Sequence, residues 1–189
     1  MPEIKPLEKA LLEIAALLDE NAIPYMVIGG MANAKWGRPR TTLDIDITAW
    51  IQEHEIKAVI SIFEKKSYMF RVSNPLDFTK ETRVLPLKTP GNQSIDMIFG
   101  AMPYERLAIE RAVKVKIGEG FVNFCTAEDL ILLKIISDRP QDLEDVKGIL
   151  KFQKHELDYA YLDPRIMELA TLLEKPEIMH NWNHWKKVD

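Results

Sequence analysis

Cysteine is nearly missing from this chain. Its 189 residues hold one, Cys125, so no internal disulfide can form and a reducing compartment is the expectation. Long apolar runs are missing as well, and none reaches the length that spans a bilayer. The opening stretch MPEIKPLEKALLEIAALLDE mixes acids among its apolar residues and lacks the basic start of a signal peptide. A cytoplasmic protein with no membrane contact is therefore expected. Positive charge is not in excess: the formal net charge of −4 argues against broad coating of nucleic acid or anionic lipid, while leaving room for a local basic patch. The chain also has neither a Gly-Lys-Ser/Thr phosphate loop nor G-x-G-x-x-G. His180 and His184 stand four apart but have no third ligand with them, which speaks against a zinc site. What remains is a composition of 47% hydrophobic and 29% charged residues, enough to bury one core and too apolar for disorder.

The periodicity divides the chain into a mixed first part and a helical second part. Leu7, Leu11, Ile14, Leu17 and Leu18 recur at helical spacing and predict an opening helix that stops near Asn21. YMVIG reads as a buried strand ended by Gly29-Gly30, MANAKW as a short helix, GRPRTT as a loop and LDIDIT as an alternating strand. Residues 53–66 read as helix and NPLDFTK as loop. RVLPLK and SIDMIF are strands joined by a turn at TPGNQ, and AVKVKI with FVNF forms a hairpin around GEG. From Thr126 three helices follow, and HNWNHWKKVD reads as a solvated tail whose Trp182 and Trp185 pack back on the body. The fold class expected is α+β, with residues 1–125 as one region and 126–189 as a helical one packed on it.

Alternation gives LDIDIT two faces. Leu43, Ile45 and Ile47 share one, and Asp44, Asp46 and Thr48 the other. Positions two apart on a strand lie roughly 6–7 Å from each other, within reach of shared cations. Asp is depleted in strands, so two of them in a short apolar strand call for a reason. Asp96 in SIDMIF repeats the arrangement, and if the strands are neighbours three carboxylates line one surface. Oxygen-only clusters suit magnesium or manganese, whereas zinc would bring His or Cys. A solvated outer sheet face is the plainer reading of Asp-x-Asp alone.

Gly29-Gly30 lies between a buried strand and a helix, where the backbone can approach a ligand and helix N–H groups can meet phosphate. Arg38 and Arg40 precede the aspartates; beside a metal they fit a polyphosphate, and alone they could simply neutralise the carboxylates. Lys134 lies on or beside the apolar face of its helix, so it either snorkels to water or reaches a phosphate. Asp142 and Asp145 open a helix after Pro140, where acids also cap free N–H groups.

The combination VIGGMANAKWGRPRTTLDIDI, followed by SIDMI, resembles the polymerase-beta-like nucleotidyltransferase superfamily. The Arg-x-Thr-x-Asp-x-Asp stretch from Arg40 through Thr42 to Asp46 looks most like its AbiEii-type, toxin-like branch. The resemblance implies a nucleotidyltransferase fold, a small mixed sheet flanked by helices with a helical portion after it. It implies Asp44, Asp46 and Asp96 as metal ligands for magnesium (or manganese), and those three with Lys134 as catalytic residues. Gly29, Gly30, Arg40, Thr42, Lys134, Asp142 and Asp145 would bind the nucleotide. The implied partners are a nucleoside triphosphate, an acceptor hydroxyl on tRNA, protein or a small molecule, and a cognate antitoxin. One departure is that Gly30 stands where many relatives carry a phosphate-binding serine. The alternative is a catalytically inactive nucleotide-binding or partner-binding module on the same fold.

Overall fold

The computed structural model describes residues 5–187. The chain runs α1 (Pro6–Glu20), β1 (Tyr25–Val27), α2 (Gly29–Trp36), β2 (Asp44–Ala49), α3 (Ile56–Lys65), β3 (Met69–Phe70), α4 (Pro75–Thr82), β4 (Val84–Lys88) and β5 (Ser94–Phe99). It continues through α5 (Pro103–Glu110), β6 (Val113–Ile117), β7 (Gly120–Phe124), α6 (Ala127–Ile135), α7 (Pro140–Gln153), α8 (Tyr159–Leu172) and α9 (Pro176–Trp185). Two compact units form among the described residues: 5–31 with 41–125, and 32–40 with 126–187.

The first unit carries the whole sheet, ordered β3-β4-β5-β2-β1-β7-β6. β2 pairs with β5 in parallel, as does β1 with β7; the other pairings are antiparallel. The class is α+β, as expected from the run of short strands before the helices. Ile45 and Ile47 on β2 and Ile95, Met97 and Phe99 on β5 are buried, so these strands spend alternate residues on the core. Leu11, Ile14 and Leu18 of α1 are fully buried at helical spacing and give that helix its anchor. Leu43 departs from the expected face: β2 starts only at Asp44, and Leu43 is 77% exposed.

Two further segments differ from the sequence reading. NPLDFTK is the helix α4, because Asn74 accepts a hydrogen bond from the Asp77 N–H (3.3 Å) and Pro75 occupies the first helical position, where its missing N–H costs nothing. The helix ends on Arg83 in the left-handed region (φ 61°), whose guanidinium donates to the carbonyls of Phe99 and Gly100 at 3.0 and 2.8 Å. The C-terminal stretch is the helix α9, which Pro176 opens; Ile178 and Trp182, four apart, are buried. In the second unit Trp182 also donates from its indole nitrogen to Asp163 at 2.6 Å, which holds α9 to α8. Leu130, Ile131, Ile135, Val146, Ile149, Leu162 and Ile166 are among the other buried apolar residues there. Among the described residues no helix is long and apolar enough to cross a membrane.

Candidate active site

The register of the central strands settles whether the carboxylates meet. Asp44 lies opposite Ser94, and Asp46 lies directly opposite Asp96. Neighbouring strands stand roughly 4.8 Å apart, and partners in register project from the same face. Asp46 and Asp96 are therefore side by side, with Asp44 two residues along the same face of β2. Like charges placed opposite each other across a sheet are destabilising, so this pairing calls for positive charge.

Glycine then explains how Asp46 is accommodated. Gly29 has φ +63°, the left-handed region that an L side chain enters only with strain. A Cβ built on it would overlap Asp46 Oδ2 and fall 2.6 Å from Asp46 Cγ. The carboxylate of Asp46 thus lies directly against the first residue of α2, where the helix dipole favours negative charge. The Ile28 N–H donates to the Asp46 carbonyl at 2.9 Å and ties the same turn to β2. Gly30 does for Thr42 what Gly29 does for Asp46: its missing Cβ would stand 2.6 Å from Thr42 Oγ1. Thr42 in turn donates to the Asp44 carbonyl at 3.2 Å. The two glycines first admit the chain's own Asp46 and Thr42 to the helix start.

Asp96 has a partner that the sequence reading missed. Arg71, which follows β3, donates from its guanidinium to the Asp96 carboxylate and, at 3.5 Å, to the Ile95 carbonyl. Its backbone N–H donates to Pro86, the residue opposite Asp96 on β4. Nothing in the sequence links Arg71 to Asp96, 25 residues on; only the strand order joins them.

The donor set on this face is all oxygen and fits a hard divalent cation such as magnesium or manganese. Among the described residues no three His, Cys, Asp or Glu side chains gather closely enough to hold a metal ion. Asp44 is exposed, Asp46 half-buried, and Asp96 is engaged by Arg71. Asp44 and Asp46 would hold such an ion from one face of β2, and Asp96 from the same face of β5.

The remaining expected residues lie in the second unit and form a network of their own. Lys134 reaches neither water nor an open face: its side chain is 7% exposed, and Nζ donates to Asp142 at 2.7 Å and to Asp145 at 2.8 Å. Its polar end sits beside an apolar face because two buried carboxylates receive it there. Asp142 also accepts from Ser137 (2.8 Å) and Arg139 (2.6 Å), and Asp145 from Gln141, Asn33 and Arg40 at 3.2–3.4 Å. Burial pushes both carboxyls up, but the hydrogen bonds and charge of Lys134, with help from Ser137 and Arg139 at Asp142 and from Arg40 and Gln141 at Asp145, outweigh it and hold both below the ordinary value. Asn33, fully buried, also donates to the Arg38 carbonyl at 3.0 Å, so the arginine loop is tied down at Arg38 and at Arg40.

Known proteins place the chain in a family. The model of one family, described as nucleotidyltransferase of unknown function (DUF6036), matches residues 5–188. Among solved structures, the chain is similar to an antigenic nucleotidyltransferase-like protein from Paracoccidioides brasiliensis, 17% identical, with a TM-score of 0.57 over 93% of this chain and 91% of that one. It is similar to ANT(2'')-Ia in complex with adenylyl-2''-tobramycin, 15% identical, TM-score 0.59, over 89% and 99% of the two chains. It is also similar to the lincosamide antibiotic adenylyltransferase LnuA bound to lincomycin, 16% identical, TM-score 0.53, over 79% and 98%. At these identities the likeness is one of fold. Curated protein sequences give no significant match. None of these matches is to the AbiEii-type branch, a likeness that rests on the stretch from Arg40 to Asp46 and on Lys134 followed by Asp142 or Asp145.

Proposed function

The chain belongs to this nucleotidyltransferase family, and on that premise we propose that it moves a nucleoside monophosphate from a triphosphate to an acceptor hydroxyl, releasing pyrophosphate. The observation that carries the proposal is the register of β2 and β5, which sets Asp46 beside Asp96 with Asp44 on the same face. Asp44 and Asp46, joined by Asp96, would hold a divalent cation, magnesium first and manganese as its substitute. Such an ion, when bound, neutralises charge on the phosphates and activates the attacking oxygen. The chain's own part is to hold the carboxylates in place: Gly29 leaves room for Asp46, and Thr42 fixes the turn that leads to Asp44. Backbone N–H groups at Gly29 and Gly30 would receive phosphate oxygens at the α2 N-terminus. With no serine at position 30, these contacts come from the main chain alone.

Arg40, Lys134, Asp142 and Asp145 take a different role in this reading. Two of the three Lys134 protons already go to buried carboxylates, so spending them on phosphate would leave unpaired charge inside the second unit. We assign the four residues to the stability of that unit and to the hold on the arginine loop.

Incubation with magnesium, each labelled triphosphate and a panel of acceptors tests the proposal. The panel includes tRNA, protein and small hydroxyl compounds, the last because two fold neighbours hold adenylyl-2''-tobramycin and lincomycin. Magnesium-dependent labelling that disappears with Asp44→Asn and Asp46→Asn supports it. Tight triphosphate binding with no product in any arm would make the protein a binding module instead.

A further inference from the structure

Arg71 occupies a carboxylate that the metal reading needs. It follows the two-residue edge strand β3, and β4 lies between it and Asp96 on β5. Reaching from β3 to β5 crosses two strand spacings, roughly 10 Å, which takes one of the longest side chains available. The reach is fixed at both ends, by the backbone N–H on Pro86 at 3.0 Å and by the guanidinium on Asp96 and the Ile95 carbonyl. Asp96 faces Asp46 in register, so Arg71 removes half of a like-charge clash that the sheet would otherwise carry. The pair is about a third exposed on each side, 33% for Arg71 and 37% for Asp96. Ion pairs so exposed add little stability and are readily exchanged.

We propose that Arg71 is a resident counter-ion that withholds Asp96 from the cation site until a divalent ion displaces it, so that it sets the metal affinity of the site. The inference rests on the metal-nucleotide reading above. Arg71 acts through Asp96 and is a positioning residue. Without ligand, Arg71 covers the Asp96 carboxylate. A bound divalent ion gains that carboxylate only by breaking the Arg71–Asp96 pair.

Binding of Mn2+ alone, followed by electron paramagnetic resonance, tests this without any turnover. Arg71→Ala is expected to tighten Mn2+ binding about three- to tenfold, the scale of removing one competing charge from a partly solvated site. Arg71→Lys, which keeps the charge, should stay near wild type. In an Asp96→Asn background the same Arg71→Ala change should shift affinity less than about twofold, since the residue it acts through is gone. Equal tightening in both backgrounds would mean a general charge effect and overturn the proposal, as would no tightening in either. Mn2+ binding that ignores Asp44→Asn would overturn the metal reading itself while leaving the Arg71 comparison readable. Failure of every variant and of wild type to bind Mn2+ would overturn both.

Discussion

Replacing Gly29 by alanine attacks the site through its backbone and leaves every carboxylate in the sequence. The new Cβ would stand 2.6 Å from Asp46 Cγ and 2.8 Å from Asp46 Cβ. Ordinary carbon contacts are roughly 3.5–4.0 Å, so the carboxylate must retreat by about 1 Å. The φ of +63° at this position adds about 1–2 kcal/mol of strain for a residue with a Cβ. At roughly 2–4 °C per kcal/mol for a chain of this size, the melting temperature should fall by about 2–8 °C. The larger effect falls on the ligand, because moving the group that supports a metal site typically costs about 10–100-fold in affinity. Mn2+ binding in the presence of ATP, measured well below the melting temperature of the variant, reads that effect separately from stability. Gly30→Ala is the matched control: its Cβ would press on Thr42 Oγ1 at 2.6 Å and leave Asp46 alone. It should therefore cost less in Mn2+ affinity than Gly29→Ala. A folded Gly29→Ala protein with wild-type Mn2+ affinity would refute the reasoning, as would a control more damaging than the variant.

Two predictions concern the second unit. Lys134→Met leaves Asp142 and Asp145 buried without their shared cation, a loss of about 3–5 kcal/mol that should lower the melting temperature by roughly 6–20 °C. Triphosphate affinity of the folded variant should stay near wild type, and a weakened affinity with unchanged melting would return Lys134 to the ligand. The same two carboxyls also make stability depend on pH. Each has a folded pKa below its unfolded value of 3.8, so each adds stability that is fully present above that value and is lost as pH falls through the folded pKa. Melting temperature should drop between about pH 4 and pH 2 more steeply in wild type than in Asp142→Asn; equal slopes would contradict the assignment.

Much of the first unit was legible because period-two alternation is a strong signal. Ile45 and Ile47 against Asp44 and Asp46 announced both the strand and its polar face, and Ile95, Asp96 and Met97 repeated the message. Pairing of the two strands was left open in the sequence and came only from the register. The helix α4 was hidden because Asn-Pro followed by polar residues serves turns and helix starts alike. Trp182 was read as packing back and is fully buried, yet the helix α9 that carries it was hidden because its polar chain end reads as a tail. Lys134 was correctly singled out as a cation on an apolar face, yet helical spacing could not tell a phosphate from Asp142 and Asp145. Arg71 carried no signal at all, since its link to Asp96 exists only through the order β3-β4-β5. Local patterns thus singled out the candidate residues, and long-range pairing decided what each one touches.

On the proposed reading, the aspartate face of β2 and β5 would hold a metal-bound triphosphate. Hyperfine spectroscopy of Mn2+ bound with ATP addresses it directly, since phosphorus couples to the ion only when phosphate oxygens are its ligands. Wild type should bind Mn2+ with clear phosphorus coupling, and Asp46→Asn should lose it. Retention of the same coupled signal in a folded Asp46→Asn protein, or bound Mn2+ without phosphorus coupling in wild type, would contradict it.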